Sequence, residues 1–193
     1  MPTTAAKRAL FETASAARSA LRGAGRAAAT RAVLERAAET LGGWPGTVGL
    51  YVAIRDELNP IRLAESLAAG GRDLALPCTP EWGRPMVFRR WSPGDPLVRG
   101  RMNVPEPAPD ADIVVPDAFL VPPVAFDRRC FRIGYGAGFY DRTLAAVRTV
   151  RPDRPVRTLG IAFACQEVSA VPDEPHDIPL DAIATEHDLF RRP

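Results

Sequence analysis

Residues 47–76 read TVGLYVAIRDELNPIRLAESLAAGGRDLAL, and this stretch decides the fold. Residues 47–54 are rich in β-branched and aromatic side chains, which predicts a strand. Asn59 followed by Pro60 is a favourable helix start, because proline suits the first helical position. That helix is expected to end at the glycine pair that follows. Residues 73–76 predict a second strand, so the stretch forms a β-α-β unit, which in one sheet has parallel strands and a right-handed crossover.

The rest of the chain continues this alternation. Helices are predicted over residues 4–22, 26–41 and 139–148. Strands are predicted over residues 86–91, 112–115, 119–121, 124–126, 157–163 and 182–184. Residues 92–112 are rich in Pro and Gly, which predicts an irregular excursion over the surface. We therefore predict an α/β fold with a single domain, residues 1–193, built as a three-layer α-β-α sandwich around a mostly parallel, Rossmann-like central sheet.

The composition excludes several classes of protein. Of 193 residues, 46% are hydrophobic and 25% are charged, as in ordinary globular domains. The net charge of +2 is too balanced for a protein that mainly binds nucleic acid or an anionic membrane, and no stretch approaches the ~20 continuous apolar residues of a membrane span. Cys78, Cys130 and Cys165 have neither disulfide nor metal-ligand spacing, which is typical of a reducing compartment. We expect a cytoplasmic protein without nucleic-acid or membrane partners.

The strongest local signal for chemistry is RIGYGAGFYDR, residues 132–142. Its alternating glycines allow close backbone approach, and the amides at a helix start face any anion placed there. Arg132 would add positive charge, and Asp141 could hold a magnesium ion that bridges phosphate oxygens. The pattern is not a Walker motif, and Phe139 replaces the third glycine of a dinucleotide fingerprint. Taken alone, it fits a phosphate site or a tight turn without a ligand.

Lys7 is the single lysine among 25 basic residues. A compact ammonium group binds phosphate differently from a planar guanidinium, which makes a lone lysine among arginines a candidate phosphate ligand. The alternative interpretation is that this one lysine is present by chance and has no special role.

Several motifs, in order along the chain, resemble one enzyme family. The stretch FDRRCFRIGYGAGFYDRTL, residues 126–144, resembles the signature of 5-formyltetrahydrofolate cyclo-ligases, also called methenyltetrahydrofolate synthetases. Lys7-Arg8-Ala9-Leu10 resembles the Lys-xx-Leu start of that family. Further matches are YVAIRDEL at residues 51–58, NVPEP at 103–107, PDAFLVPPVAFD at 116–127, and the C-terminal residues 162–186.

The resemblance implies a specific reaction. Such enzymes convert 5-formyltetrahydrofolate to 5,10-methenyltetrahydrofolate with ATP and Mg²⁺, and they release ADP and phosphate. The formyl oxygen is phosphorylated, and N10 of the folate then closes the ring. Positioning and charge neutralisation carry most of such a phosphoryl transfer. The implied protein is a ligase that forms a C–N bond, binds a small-molecule folate and acts as a monomer.

The resemblance also implies roles for individual residues. Lys7, Glu57 and Arg132 would be catalytic, with Lys7 on the ATP phosphates and Glu57 on the pterin or the formamide. Nucleotide contacts are implied for Lys7, Arg8, Arg132, Ile133, Gly134, Tyr135, Gly136, Ala137, Gly138, Phe139 and Tyr140. Substrate contacts are implied for Val52, Glu57, Tyr135, Gly136, Ala137, Gly138 and Phe139. Asp141 and Asp177 would hold the metal, with Asp181 as an alternative ligand.

Some positions depart from the family pattern. Phe11 stands where many members have Arg, so one phosphate contact is absent or is supplied by Arg8 or Arg18. Tyr135 and Ala137 occupy loop positions that are often basic or Gly, which leaves less positive charge beside the phosphates.

Two further departures stand outside these positions. Cys130 stands where Gly is common, and Met102 stands where some members place a Trp. The departures leave two alternatives, namely a catalytically inactive folate- or nucleotide-binding protein of the same fold and an ATP-dependent enzyme acting on a different formamide.

His176 and His187 lack metal-ligand spacing, which predicts turn or surface roles for both.

Overall fold

The computed structural model of the protein describes residues 2–175 and 177–192, with side chains from Ala5 onward. The α-helices are α1 (Pro2–Ala20), α2 (Gly23–Gly42), α3 (Ile61–Ala69) and α4 (Phe139–Val150). The strands are β1 (Val48–Gly49), β2 (Leu74–Cys78), β3 (Val87–Arg90), β4 (Leu97–Arg99), β5 (Pro105–Pro107), β6 (Ile113–Val114), β7 (Ala118–Val121), β8 (Ala125–Phe126), β9 (Arg132–Ile133), β10 (Arg157–Ile161), β11 (Ala182–Ala184) and β12 (Leu189–Arg191). Within these residues no helix has the length and apolarity that a bilayer crossing requires.

One large sheet organises the protein, with strand order β12-β11-β10-β7-β1-β2-β3-β6. The central strands β11, β10, β7, β1 and β2 pair in parallel. The edges are antiparallel, because β12 pairs with β11, β3 with β2, and β6 with β3 in that sense. Val48 of β1 lies opposite Leu74 of β2, so the predicted β-α-β unit has its parallel pairing.

Alternate residues of the sheet face two different helix layers. On β7, Ala118 and Leu120 pack into the cluster that contains the buried residues of α2 and α3. Phe119 and Val121 point to the other face and pack with Leu144 of α4. This period of two is the geometry of a strand buried on both sides. The predicted three-layer α-β-α sandwich with a mostly parallel sheet is confirmed.

Helix α1 lies on the hairpin formed by β8 and β9. Ala14 of α1 is buried against Ala125, Ile133 and Val171, in a cluster separate from those on the two sheet faces. A small residue at this point lets the helix backbone approach the hairpin closely. The packing fixes α1 beside the strand that leads into the glycine-rich stretch.

The first predicted strand is shorter than expected. Residues 47–54 were predicted as one strand, but only Val48–Gly49 pair on both sides, and the Leu50 amide adds one bond to the Ala75 carbonyl (2.8 Å). Tyr51 then donates its hydroxyl to the Leu58 carbonyl, which closes residues 51–58 into a loop. The apolar run therefore reflects burial at the carboxyl end of the strand and not continued sheet pairing.

Residues 92–112 are also more ordered than predicted. The prediction of an irregular segment is wrong for the antiparallel hairpin of β4 and β5. Buried Glu106 of β5 accepts the Thr79 amide at 2.7 Å, and its carboxyl occupies the space left by Gly100, where a Cβ atom would clash with it. These long-range contacts stabilise a hairpin that local composition does not reveal.

Gly46 is the glycine on which the start of β1 depends. It has φ +85°, and a Cβ atom there would collide with the Asp117 carboxylate, which accepts the Thr47 amide at 2.8 Å. We expect Gly46→Ala to lower the free energy of unfolding by about 3 kcal/mol, measured by urea denaturation. Gly71→Ala is the matched control, because Gly71 has φ +79° but open space around it; its loss should be about 1 kcal/mol. Equal losses for the two variants would contradict the assigned clash.

Candidate active site

One face of α1 points into the molecule. Lys7, Phe11, Ala14 and Arg18 are spaced by four, three and four positions, so they share one side of the helix. The burial of Ala14 shows that this side is the inward one. Lys7 and Arg18 are eleven residues apart, which separates them by about 16 Å along the helix. The helix therefore presents two cations at two points of one inward surface.

Lys7, predicted to contact the ATP phosphates, and Asp177, predicted to hold the metal, form an ion pair. The Lys7 Nζ donates to Asp177 Oδ2 at 2.6 Å, and both side chains are partly exposed. The same Oδ2 accepts the Glu174 amide at 2.9 Å, while the Asp177 amide donates to the Glu174 carbonyl at 2.8 Å. This small turn orients the Asp177 carboxylate toward α1, from the far end of the chain.

Arg132 and Asp141 form a second ion pair beside the first. Arg132 Nη2 donates to Asp141 Oδ1 at 2.9 Å, and its Nη1 donates to the Ile178 carbonyl at 2.6 Å. The Ile178 amide in turn donates to Asp141 Oδ1 at 3.3 Å. Asp177 directly precedes Ile178 in the chain. The carboxylates of Asp141 and Asp177, both predicted to hold a metal, therefore lie near the same backbone segment.

The glycine-rich loop, residues 134–138, joins β9 to the start of α4. Gly136 and Gly138 have φ of +85° and +63°, a conformation that suits glycine. A Cβ atom on Gly138 would also lie 2.7 Å from Arg142 Nη1. The first amides of α4 have no partners within the helix, and the helix dipole favours an anion there. Arg132 thus lies at the entry to the loop and Asp141 in the first turn of the helix, and the anion site at this place stays a prediction.

Glu57 is a buried carboxyl at the end of a tight turn. Arg55 adopts a φ of +54°, and Glu57 Oε2 accepts the Ile54 amide at 2.8 Å. The residue is 7% exposed. Burial raises the pKa of Glu57 to about 7, against the opposing effects of the Ile54 amide and the Arg18 charge. A carboxyl with a pKa near neutrality can exchange a proton under ordinary conditions.

Tyr140 lies between the Glu57 turn and the Arg132 pair. Its hydroxyl donates to the Leu120 carbonyl at 3.3 Å. Burial raises its pKa well above the ordinary value, the Glu57 carboxyl raises it further, and Arg132 lowers it. Glu57 and Arg132 are therefore both near enough to shift the pKa of the Tyr140 hydroxyl. Tyr140 thus connects the predicted folate side of the site with the predicted phosphate side.

A pocket of about 180 Å³ lies beside the carboxyl end of β1. Val52, a predicted substrate contact, lines it together with Tyr51, Trp91 and Leu97. Such a mostly apolar cavity suits a flat ring system. A larger groove of about 890 Å³ between α2 and α3 contains none of the predicted site residues.

Other candidate residues lie elsewhere. Arg8 is exposed and pairs with a glutamate one turn along α1. Asp181, the alternative metal ligand, accepts both the amide and the hydroxyl of Thr158 at 2.8 and 2.9 Å, so it joins two strands. His187 is exposed, in agreement with its predicted surface role. His176 lies outside the described residues.

Sequence reasoning missed a network around Arg18. Arg18 Nη2 donates to Asp56 Oδ1 at 2.6 Å and to the Tyr135 hydroxyl at 3.0 Å, and Asp56 also accepts the Ser19 hydroxyl. The ring of Phe11 meets that of Tyr135 edge-on, with centroids 5.7 Å apart. The helical spacing of Lys7, Phe11 and Arg18 was the available signal, but their partners come from distant parts of the chain.

Comparison with known proteins gives a consistent result. The sequence model of the 5-formyltetrahydrofolate cyclo-ligase family matches residues 3–186. The chain is 35% identical to a 5-formyltetrahydrofolate cyclo-ligase of Escherichia coli K12 over 72% of this chain and 77% of the relative. It is 31% identical to the Mycolicibacterium smegmatis enzyme of that name, over 80% and 84%. Its fold is similar to the NMR structure of Aquifex aeolicus 5,10-methenyltetrahydrofolate synthetase, with TM-score 0.72, 27% identity, and 96% and 92% of the two chains covered. The chain therefore belongs to the 5-formyltetrahydrofolate cyclo-ligase family.

Proposed function

We propose that this protein converts 5-formyltetrahydrofolate to 5,10-methenyltetrahydrofolate and hydrolyses ATP to ADP and phosphate in the process. The main support for this proposal is that two ion pairs, Lys7–Asp177 and Arg132–Asp141, lie close together beside the glycine-rich loop. Family membership supplies the substrate class. Two cations, two carboxylates and the N-terminus of α4 suit the charges of a nucleoside triphosphate and its metal ion.

The donor set fits a magnesium ion held jointly with phosphate. Asp141 and Asp177 offer the hard oxygen ligands that Mg²⁺ prefers, and Mg²⁺ in nucleotide sites commonly takes only one or two carboxylates. Among the described residues, no group of three or more His, Cys, Asp or Glu side chains is placed to hold a metal by itself. Mg²⁺ bound by Asp141 and Asp177 would neutralise charge on the transferring phosphate. Lys7 and Arg132, released from their present partners, would contact the phosphate oxygens.

The chemistry requires activation of a poor electrophile. The nitrogen of a formamide donates into its carbonyl, so direct attack by N10 is slow. Transfer of the γ-phosphoryl group to the formyl oxygen gives a phosphorylated imidate. N10 then bonds to the formyl carbon, N10 loses its proton, and the C–O bond breaks to release phosphate. Glu57 would hydrogen-bond the pterin or the formamide, and its pKa near 7 suits proton exchange at this step.

The single lysine gives a direct test of the phosphate contact. Lys7 is partly exposed and is the one side-chain amine in the chain. We expect ATP with Mg²⁺ to protect Lys7 from an amine-acylating reagent, measured by mass spectrometry with the α-amino group as internal reference. Lys7→Ala should raise the KM for ATP about 10-fold, because a charge-assisted contact is lost. Unchanged labelling of Lys7 in the presence of saturating ATP would remove it from the nucleotide site.

A substrate panel tests the proposed function against its alternatives. We expect ADP release to require 5-formyltetrahydrofolate and to equal the methenyl product in amount. An enzyme for another formamide would release ADP with a different N-formyl compound. Tight folate binding without ADP release would identify an inactive binding protein.

We further propose a cytoplasmic location and a monomeric state, without nucleic-acid or membrane partners. The free thiols of Cys78, Cys130 and Cys165 support a reducing compartment. The balanced charge of +2 supports the absence of polyanionic partners. Sedimentation analysis at micromolar concentration tests the monomeric state.

A further inference from the structure

We propose that Arg18 is a positioning residue that joins the glycine-rich loop to the Glu57 turn and holds both in the arrangement needed for turnover. The inference rests on the proposed function, because it names a residue that serves the same site without touching substrate. Arg18 reaches Asp56 on one side and Tyr135 on the other through the same Nη2 atom. These partners lie 38 and 117 positions away in the chain.

Arg18 is a buried cation whose hydrogen bonds go to two distant segments of the chain. Its side chain is 2% exposed, yet its Nε has no hydrogen-bond partner among the residues that the structure describes. A buried guanidinium is costly unless fully paired, and well-packed apolar residues often stabilise such positions better. At this buried position the guanidinium donates to Asp56 and Tyr135, so its charge and its reach join two segments of the chain.

On the loop side, Arg18 completes the anchoring of Tyr135. This residue stands between Gly134 and Gly136, so the backbone around it is intrinsically free. Its ring is contacted edge-on by Phe11, and the Arg55 guanidinium lies 4.9 Å from its centroid. The hydrogen bond that Arg18 donates to the Tyr135 hydroxyl fixes the orientation of the ring. The tyrosine thus fixes the loop to α1 and to the turn that precedes Glu57.

On the Glu57 side, Arg18 holds the turn through Asp56. A second arginine, Arg26, supports the arrangement by donating to the carbonyls of Asp56 at 2.6 Å and of Arg18 at 3.3 Å. Burial alone would raise the pKa of Asp56, but its bonds from Arg18 and Ser19 outweigh that effect and lower the pKa to about 2. Asp56 is therefore a fixed negative charge beside Glu57.

The charged and titratable groups that face Glu57 are Arg18, Arg55, Asp56, Tyr51 and Tyr140. Burial is the main cause of the raised pKa of Glu57, Arg18 and Arg55 lower it, and Asp56 raises it. Removal of the Arg18 charge should therefore raise the pKa of Glu57, whereas Asp56→Asn should lower it. The shifts test whether the Arg18 charge acts on Glu57, and the split of the kinetic effect between kcat and KM tests whether that action serves turnover.

The experiment compares Arg18→Met, Arg18→Lys, Tyr135→Phe and Asp56→Asn with the wild-type protein. Arg22→Met is the matched control, because Arg22 is exposed and donates to the carbonyl of its neighbour Leu21. Three measurements are made: steady-state kinetics (kcat and KM) with 5-formyltetrahydrofolate, backbone nitrogen-15 NMR order parameters of residues 134–138, and the Glu57 titration midpoint by carbon-13 NMR of its carboxyl. The last two do not depend on activity.

We expect Arg18→Met to lower kcat/KM about 100-fold, mostly through kcat, and to raise the Glu57 midpoint by about one pH unit. The order parameters of the loop should fall from about 0.85 to below about 0.6 in Arg18→Met and in Tyr135→Phe. Arg18→Lys should keep the midpoint but not the loop order, because it retains the charge without the forked geometry. The Arg22→Met control should match the wild type in all three measurements.

Unchanged loop order parameters and an unchanged Glu57 midpoint in Arg18→Met would overturn the inference, whatever its melting temperature. If Arg18→Met does not fold, Tyr135→Phe decides the loop contact and Asp56→Asn decides the charge effect by the sign of its shift. An inactive wild type with these couplings intact would instead refute the proposed function alone.

Discussion

Asp141→Asn is expected to reduce kcat at least about 100-fold while the protein stays folded. The asparagine keeps an oxygen where Asp141 Oδ1 now accepts Arg132 Nη2 and the Ile178 amide, so the local structure can persist. It removes the negative charge that a magnesium ion requires. The loss should therefore appear in turnover and in the Mg²⁺ concentration needed for half-maximal rate, beyond any lowering of the melting temperature from the lost ion pair with buried Arg132.

The matched control for this prediction is Asp153→Asn, a change of the same chemistry at an exposed position in the turn after α4. Its kinetics should equal those of the wild type. Asp141→Asn with wild-type kcat and wild-type Mg²⁺ dependence would remove Asp141 from the metal site. A metal held elsewhere would then have to be sought.

Glu57→Gln is expected to change both stability and turnover. The folded-state pKa of about 7 lies above the ordinary value of 4.5, so folding favours the protonated carboxyl. The stabilisation is fully present below pH 4.5 and is lost as the pH rises through 7. At about 1.36 kcal/mol per pH unit, the wild type should lose about 3 kcal/mol more than Glu57→Gln between pH 4 and pH 8.

Urea denaturation at a series of pH values measures this difference directly. Glu65→Gln, at an exposed position on α3, is the control and should follow the wild-type curve. The change at Glu57 should also lower kcat/KM for the folate about 100-fold, because an amide cannot take the proton. Parallel stability curves for the wild type and Glu57→Gln would contradict the buried, proton-binding state of this residue.

Elements with strong local signals were predictable from the sequence. The presence of α2 and α4, the end of α2 and the start of α4 follow from apolar periodicity and from glycines, whereas α2 begins three residues earlier than predicted; the β1-α3-β2 unit follows from the spacing of apolar runs. The β4–β5 hairpin was not predictable, because its stability depends on Glu106 and Thr79, which lie far apart in sequence. Strand β12 was missed because it is only three residues long and pairs with β11 at an edge.

The site was predictable to the extent that the family pattern marks it. Lys7, Asp177, Arg132 and Asp141 were proposed separately, and the structure brings them together through the segment that contains Ile178. Cys130, where Gly is common in the family, adopts a φ of +65°, which explains that preference. The Arg18 network could not be predicted from local sequence, because tertiary packing brings Asp56 and Tyr135 to Arg18 from distant parts of the chain.

The central claim is ATP-dependent ring closure at this site, and one absorbance assay tests it most directly. The purified protein is mixed with 5-formyltetrahydrofolate and Mg²⁺, with and without ATP, and the near-ultraviolet absorbance of the methenyl product is followed. We expect a rise that requires ATP and is absent in Asp141→Asn. A flat trace from folded wild-type protein, or a rise that does not need ATP, would contradict the proposed function.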